Sequence, residues 1–162
     1  MRDATASPRT FLVKAEPLTA AAFAPFGQVV AGGDTALTSA SDGDELTLDV
    51  IRHHRHDFVI DHLNRHHHAT QTLVPLGKQP CVITVAPADV DFSDEAHLET
   101  LHAFVMDGTV GITLALGTWH DGPWPLMDVV DLVNLQGRDV LANDNEVVHL
   151  DHGLGVVLGV VL

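Results

Sequence analysis

The chain has 162 residues, 46% of them hydrophobic, which is the usual size and composition of one globular domain. Its 22 acidic and 8 basic residues give a net charge of −14, which repels phosphate backbones and excludes nucleic acid as a partner. No stretch reaches the roughly 20 apolar residues of a membrane span, and residues 1–10 lack the apolar core of a secretory signal. We therefore expect one domain, residues 1–162, that is cytoplasmic, avoids membranes and has a small molecule as its partner.

The N-terminal part of the sequence predicts one short helix followed by a loop. Residues 18–27 contain a threonine cap, three alanines that favour helix, and a proline and a glycine that end it. Residues 31–45 are rich in Gly, Ser, Thr and Asp and have no apolar period, which is typical of a loop. Residues 93–101, with Ser93 as the cap, predict a second helix.

The rest of the chain is a series of short, β-branched runs separated by turn residues. Their number and spacing predict an antiparallel sandwich or barrel, with Asp107-Gly108 as a hairpin turn and Cys81 as a buried apolar side chain. The last run is apolar on both faces, so we expect the N-terminal segment or a second subunit to cover it, and we favour a homodimer. The runs are residues 48–51, 70–75, 81–86, 102–106, 111–116, 127–135, 146–150 and 154–162.

Histidine is concentrated in the middle of the sequence, where nine of the twelve lie between His53 and His102. Imidazole serves both metal binding and proton transfer near neutral pH, although a solvated histidine-rich loop has the same composition. In an extended backbone, alternation would place His66 and His68 on one face and His67 on the other. Gln71 breaks this alternation and would need a bend to join the first two.

Two patterns around these residues resemble the two sequence motifs of the cupin superfamily, whose small barrels present ligands into a lumen. The first, H-x-H-x-x-Q-x5-G, begins at His66, and the second, G-x5-G-x-x-H, ends at His120. Gln71 stands where cupins more often have Glu, and Ala115 where they often have Pro. Because imidazole and a side-chain oxygen suit a divalent first-row metal ion, the resemblance implies one such ion held by four candidate ligands. These are His66, His68, Gln71 and His120.

A longer ordered set of residues, from about residue 18 to residue 146, resembles the ureidoglycolate lyases. It comprises residues 18–27, Arg65-His66, Thr70-Gln71, Val74-Pro75-Leu76, residues 101–104, Gly108, Gly111, residues 117–120 and Pro125-Leu126. The resemblance implies a mainly β, cupin-like antiparallel β-barrel, a double-stranded β-helix with one or two short helices, that is commonly a homodimer. It also implies a carbon–nitrogen lyase of the amidine-lyase type, which cleaves ureidoglycolate into glyoxylate and urea in purine and allantoin breakdown.

This reaction requires removal of a hydroxyl proton and protonation of the leaving nitrogen. His66 and His120 are the predicted acid–base pair, because imidazole exchanges protons near neutral pH. A bound metal would hold the substrate carboxylate and hydroxyl and lower the hydroxyl pKa. Gln71 is the third catalytic candidate, since its amide could bind the urea group if it is not a ligand.

Three further residues are candidates for substrate binding. Arg65, and after it Lys78, would hold the substrate carboxylate, because the sequence offers few cations. An ion pair with an acid such as Asp61 is an equal alternative for Arg65. Trp119 would wall the pocket, with plain core packing as its alternative.

Four features depart from the family pattern. Asn64 replaces the acid that usually precedes the Arg-His pair, His68 replaces an apolar residue, and Asp121 follows His120 where a second histidine is usual. Residues 135–138, Leu-Gln-Gly-Arg, stand where Asp-Arg-Gly-Gly is expected. Two alternatives therefore stay open: another metal-dependent cupin enzyme, an isomerase or oxygenase acting on a small carboxylate, which His68 favours, and a non-catalytic ligand-binding cupin, which Asn64 favours.

Overall fold

A computed structural model describes residues 7–162 of the chain. The expectation that residues 1–10 carry no secretory signal falls largely on residues 1–6, which lie outside the described range. Within that range, no helix is both long enough and apolar enough to pass through a membrane.

Strands dominate the described part of the chain, with short helices between them. The strands are β1 (Arg9–Pro17), β2 (Gly27–Val30), β3 (Leu46–His54), β4 (Val59–Ile60), β5 (His62–Arg65), β6 (Gln71–Pro75), β7 (Cys81–Ala86), β8 (His102–Met106), β9 (Gly111–Leu114), β10 (Trp119–Pro125), β11 (Val129–Gly137), β12 (Glu146–His149) and β13 (Val156–Val161). The helices are α1 (Ala20–Phe23), a 3-10 helix (Glu95–Thr100), α2 (Val140–Asn143) and α3 (Leu150–Leu154). The predicted loop at residues 31–45 is confirmed, because its only bridge among the described residues joins Ala40 to Ala69.

The strands form two sheets that share an apolar cluster. One sheet has the order β12-β5-β10-β7-β8-β1-β13-β4, and the other has the order β2-β9-β6-β11-β3. The shared cluster, here called the lumenal cluster, joins Ile83 and Val85 of the first sheet to Leu73 and Leu132 of the second. The predicted fold class, a mainly β, cupin-like barrel with short helices, is confirmed.

The first sheet buries its other face as well. A second cluster on that face includes Val82, Trp119 and Leu158, and it is closed by Leu98 of the 3-10 helix and Leu150 of α3. Burial on both sides explains why β7, β8 and β13 are apolar at nearly every position.

The last strand is covered differently from the prediction. β1 lies beside β13 in the same sheet, from Arg9 opposite Val156 to Lys14 opposite Val161, rather than across its outer face. This pairing and that of β1 with β8 are parallel, so the predicted antiparallel barrel contains two parallel pairings at this point. A strand that arrives from the chain's other end is free of the direction that a tight hairpin would impose.

Two predicted local features are corrected and two are confirmed. Thr19 caps α1 by accepting a hydrogen bond from the Ala22 N–H, as predicted. The second helix is a 3-10 helix capped by Asp94 rather than by Ser93. Asp107-Gly108 is not a hairpin turn, because β8 and β9 belong to different sheets. Cys81 is fully buried, and burial raises the pKa of its thiol to about 12.

Candidate functional site

Two histidines meet at the lumen of the barrel. His120 stands opposite Val85 in the pairing of β10 with β7, and Val85 belongs to the lumenal cluster, so the His120 ring points into the lumen. His66 follows the end of β5, and its ring centroid lies 4.9 Å from that of His120. Both are nearly buried, with exposed fractions of 7% for His66 and 6% for His120.

The surrounding backbone determines which nitrogen of each ring is free. Nδ1 of His66 lies 2.7 Å from the Asp144 carbonyl oxygen, and Nδ1 of His120 lies 3.0 Å from the Thr118 carbonyl oxygen. Because a carbonyl oxygen can only accept, each Nδ1 carries a hydrogen, and each Nε2 is the ring nitrogen that is left for a ligand. Burial and, after it, the neighbouring His66 lower the pKa of His120 to about 4, so that ring is neutral at pH 7.

Gln71 presents an unpaired oxygen beside a chain of amides. Its Nε2 donates to Oδ1 of Asn134 at 2.9 Å and to Oε1 of Gln136 at 3.0 Å. The orientation is determined by Asp49, whose carboxylate must accept from Nδ2 of Asn134 and thereby leaves Oδ1 of Asn134 as an acceptor. Oε1 of Gln71 is therefore buried without a hydrogen-bond partner. It can accept a hydrogen bond from a ligand or bind a cation.

A cleft of about 620 Å³ adjoins this chain of amides. Asp49 and Gln136 line it on one side, Arg138 lies on its wall, and α2 forms the rest as far as Asn143. The next residue, Asp144, binds His66, although neither candidate histidine is among the residues that line the cleft. The cleft therefore lies beside the hydrogen-bond partners of Gln71 and next in sequence to the residue that binds His66.

The backbone turns sharply after His66, which separates the consecutive histidines. The Asp144 carboxylate accepts hydrogen bonds from the N–H groups of His67 at 2.7 Å, His68 at 2.8 Å and Ala69 at 3.3 Å. This turn replaces the extended backbone that would have put His66 and His68 on one face, so that expectation was wrong. The His68 side chain is exposed, and its Nδ1 lies 3.7 Å from the carboxylate of Asp44.

Arg65 is held by an ion pair beside the candidate site. Its Nε and Nη2 donate to the two carboxylate oxygens of Glu146 at 2.9 and 2.8 Å, and its Nη1 donates to the Ala88 carbonyl oxygen. The guanidinium also lies 4.1 Å from the ring centroid of Trp119. Hydrogen bonds from Arg65, and after it from His67, lower the pKa of Glu146 to about 2. The structure therefore has the ion pair that was the alternative for Arg65, with Glu146 in place of Asp61.

The other two candidates for substrate binding lie away from the histidine pair. Trp119 is 1% exposed, and its Nε1 donates to the Val90 carbonyl oxygen at 2.7 Å within the second apolar cluster. Trp119 therefore packs in the core, which was the alternative to its role as a wall of the pocket. Lys78 is exposed in the turn after β6, at the opposite end of that strand from Gln71.

Comparison with known proteins supports the resemblance found in the sequence. The family model described as ureidoglycolate lyase matches residues 45–157. The chain belongs to the ureidoglycolate lyase family. A ureidoglycolate lyase of Burkholderia mallei (strain NCTC 10229) is 33% identical over 138 residues, covering 73% of this chain and 78% of its own length. One of Azotobacter vinelandii is 32% identical over 136 residues, covering 72% and 80%.

A structural similarity is also found. It is to RmlC from Streptococcus suis, solved in complex with dTDP-D-xylose. The two chains are 13% identical with a TM-score of 0.39, and the match covers 58% of this chain and 44% of that one.

Two residues that depart from the ureidoglycolate lyase pattern form side-chain hydrogen bonds in the structure. Asn64 accepts a hydrogen bond from Asn145 at 3.2 Å, next to the ion pair of Glu146. Asp121 accepts from Nε1 of Trp124, and alternation along β10 turns it away from the lumen that His120 faces. Burial raises the pKa of Asp121.

Sequence reasoning missed the residues that hold the candidate site together. Asp144 fixes His66 and the turn after it, Glu146 fixes Arg65, and Asn134 orients Gln71. The available signals were weak: residues 144–146 are a polar group just before a strand, and Asn134 interrupts an apolar run. The partners of each residue are more than 60 positions away in the chain, which no local pattern reveals.

Proposed function

We propose that this chain is a ureidoglycolate lyase that cleaves ureidoglycolate into glyoxylate and urea, an amidine-lyase step in allantoin and purine catabolism in the cytoplasm. The observation that carries the proposal is the buried pair of His66 and His120 at the lumen of a barrel of this family. Each ring has its Nδ1 bound to a backbone carbonyl oxygen and its Nε2 free, as a proton-transfer residue requires.

The reaction needs one proton to move from oxygen to nitrogen. A base removes the hydroxyl proton, the oxygen forms the carbonyl double bond of glyoxylate, and the carbon–nitrogen bond breaks. The electron pair of that bond goes to the nitrogen, which takes a proton and leaves as urea. We assign the base to Nε2 of His120, because a ring whose pKa is lowered to about 4 is neutral at pH 7. The proton that Nε2 of His120 takes up would then pass to Nε2 of the adjoining His66 and from there to the leaving nitrogen.

Gln71 would recognise the urea end of the substrate. Its buried Oε1 has no hydrogen-bond partner, whereas the urea group offers N–H donors. Because Asp49 and Asn134 fix the orientation of the amide, Oε1 is ready to accept without rearrangement. A buried acceptor left without its donor costs about 1–3 kcal/mol, so a ligand that supplies one is favoured.

The cofactor we propose is a divalent first-row metal ion, because free atoms of these residues are of the types that such an ion binds. Nε2 of His66, Nε2 of His120 and Oε1 of Gln71 are free donors of the types such ions take. In both histidines the other ring nitrogen, Nδ1, donates a hydrogen bond to a backbone carbonyl oxygen, which is the usual support of a metal-binding imidazole. When bound, the ion would supply a Lewis acid that lowers the pKa of the substrate hydroxyl. His68, the fourth predicted ligand, is exposed beside Asp44 and is not part of this set.

Arg138 is the cation we propose for the substrate carboxylate. It lines the cleft that Gln136 and Asp49 also line, and it pairs there with the exposed Glu45. Such an exposed pair is worth only about 0–1 kcal/mol, so a substrate carboxylate can replace Glu45 at little cost. Arg65, the sequence's first choice, is held by both oxygens of Glu146 and would have to break a partly buried pair.

We also propose that the protein is a homodimer. The outer face of the five-stranded sheet exposes Leu48 by 68% and Val50 by 58%, opposite Leu135 and Val133 of the neighbouring strand. An apolar face of this kind is typical of contact between subunits. Light scattering after size exclusion should give twice the chain mass, and Leu48→Asp should reduce it to the monomer mass. A monomeric wild-type protein would contradict this proposal.

The deciding experiment is glyoxylate release from ureidoglycolate by purified protein. The assay should be run after chelation and again with added Zn²⁺, Mn²⁺ or Ni²⁺, on the wild type, His120→Ala and the matched control His54→Ala, an exposed histidine on β3. We expect release by the wild type and the control and none above background by His120→Ala. Tight binding of ureidoglycolate without turnover would instead favour the non-catalytic alternative, and full activity in His120→Ala would refute the assignment of the site.

A further inference from the structure

A second group of metal-binding side chains lies on the surface, where β12 passes into α3. One ligand atom each from His149, Asp151 and His152 lie within 4.8 Å of one another. Within residues 7–162, it is the one cluster of three or more His, Cys, Asp or Glu side chains that meets this spacing. None of the three has a role in the proposed lyase reaction.

Backbone contacts fix the position of this cluster. The Asp61 carbonyl oxygen accepts hydrogen bonds from the N–H groups of Leu150 at 2.8 Å and Asp151 at 3.4 Å. The pairing of β12 with β5 places His149 directly opposite His62. The ring centroid of His149 lies 5.4 Å from that of His152 and 5.8 Å from that of His62. Three imidazoles and a carboxylate thus converge from two strands and a helix.

The donor set is the type that zinc and similar ions take. Zinc binds imidazole nitrogen and carboxylate oxygen at about 2.0–2.2 Å and prefers four ligands in a tetrahedron. The side chains of His152 and His62 are 80% and 41% exposed, so their rings can rotate toward a shared ion without displacing the core. Nδ1 of His62 is bound to the Asp61 carboxylate at 2.5 Å, which leaves Nε2 free and gives the ring the support typical of a zinc-ligating histidine.

We propose that His149, Asp151 and His152 bind one borderline divalent metal ion, represented by Zn²⁺, with Nε2 of His62 as the fourth ligand. Asp61 and the net charge of −14 provide a negative surrounding that favours a cation over an anion at this place. The site is independent of the lumenal histidines and of the proposed lyase function.

A metal here would fasten the edge of the eight-stranded sheet. β12 is the outermost strand of that sheet, and β5 is its only neighbour in the described sheet order. At its other end the same pair of strands carries the Glu146–Arg65 contact. An ion that binds only the folded state would stabilise this pair and so raise the thermal midpoint of unfolding.

The test is a zinc titration of the full chain by calorimetry, with any affinity tag removed. Four proteins should be compared: the wild type, the surface variant His149→Gln/His152→Gln, the lumenal variant His66→Gln/His120→Gln, and His54→Gln as a control for loss of an exposed histidine. Circular dichroism without metal checks that each variant is folded. We expect the surface variant to bind one equivalent of zinc fewer than the wild type and the lumenal variant to keep that equivalent.

Thermal unfolding provides a second measurement on the same proteins. At zinc in about a hundredfold excess over Kd, the midpoint should rise by several degrees in the lumenal variant and in His54→Gln. It should rise by less in the surface variant than in the wild type, because that variant keeps only the lumenal site. If the surface variant binds as many equivalents as the wild type and is equally stabilised, the proposed surface site is wrong. If the surface variant is unfolded without metal, the single variants His62→Gln and Asp151→Asn should each weaken zinc binding at least tenfold, and unchanged affinity in both would also refute the site.

Discussion

The two histidine clusters differ in how the protein surrounds the imidazole rings. At the lumen, His66 and His120 are nearly buried, and each Nδ1 meets a backbone carbonyl oxygen. At the surface, His149 and His152 are exposed, and the nearest partners are carboxylates such as Asp151. Burial lowers the pKa of His120 and shields both lumenal rings from water, whereas the exposed rings beside a carboxylate can exchange ions with solvent. The same residue type thus suits proton transfer in one place and metal capture in the other.

The largest expected effect is on turnover at the lumenal pair. His120→Ala should lower kcat/KM for ureidoglycolate by about 10²–10⁴-fold, because general acid–base catalysis contributes about that much. Initial rates of glyoxylate release measure it, and His54→Ala on the surface of β3 should stay within about twofold of the wild type. A loss of the same size in His54→Ala would mean that the comparison between buried and exposed histidines fails.

The next largest effect is a loss of folding stability at acidic pH, which follows from the burial of His120. The pKa of His120 is lowered from 6.5 to about 4, so between these values the unfolded chain binds a proton that the folded chain does not. Stability therefore falls as the pH decreases through this window, by about 2–3 kcal/mol in total. Urea unfolding with chelator present, at pH 7, 5.5 and 4.5, should show this loss in the wild type and a smaller one in His120→Gln. Parallel curves for the two proteins would contradict the prediction.

Changing the side-chain amide of Gln71 to a carboxyl group should destabilise the fold, because this amide donates two buried hydrogen bonds. Gln71→Glu replaces the Nε2 donor by an acceptor that faces the oxygens of Asn134 and Gln136. Because Asp49 prevents Asn134 from reversing its amide, we expect a loss of about 1–3 kcal/mol in the free energy of unfolding at pH 7. Gln136→Glu, in the same network but closer to the cleft, is the matched variant. Urea unfolding measures this loss. If Gln71→Glu unfolds at the same urea concentration as the wild type, the hydrogen bonds of Gln71 are not those described.

Arg138 should affect substrate binding rather than the chemical step. Arg138→Gln removes the cation proposed to hold the substrate carboxylate, so KM should rise about tenfold, equivalent to about 1.4 kcal/mol, with kcat little changed. Steady-state kinetics on ureidoglycolate measure both constants. Lys78→Gln at the far end of β6 is the control and should change neither. If KM is unaltered in Arg138→Gln, Arg65 rather than Arg138 is the residue expected to bind the substrate carboxylate.

The smallest effect is expected at the ion pair beside the lumen. The pKa of Glu146 is lowered to about 2 from 4.5, so its contribution to stability is complete above pH 4.5 and is lost as the pH falls toward 2. Glu146 is partly exposed, and solvent screening limits the loss in Glu146→Gln to about 1 kcal/mol at pH 7. Urea midpoints of wild type and variant should converge below pH 4.5, and a difference that grows there would contradict the assignment.

Periodicity found eight of the thirteen described strands and missed five, which are β1, β2, β4, β5 and β10. Residues 81–86 and 102–106 are apolar and β-branched, and they are strands with those bounds. β5 and β10 were missed because both carry polar residues and turn formers, among them Asn64 in β5 and Gly122 and Pro123 in β10. β5 ends one residue before His66, and His120 lies in β10, so the local pattern failed where the candidate site lies.

The sequence by itself determined the family, the mainly β fold and the pairing of His66 with His120 as candidates, because ordered motifs and apolar alternation are local signals. Only the tertiary structure decided that His68 leaves the lumen, that Arg65 binds Glu146, that the Gln71 oxygen is free, and that three histidines gather at His149. Each of these depends on a partner that is distant in the chain, such as Asp144 for the turn after His66. Their positions follow from strand pairing, which brings together residues that no spacing rule connects.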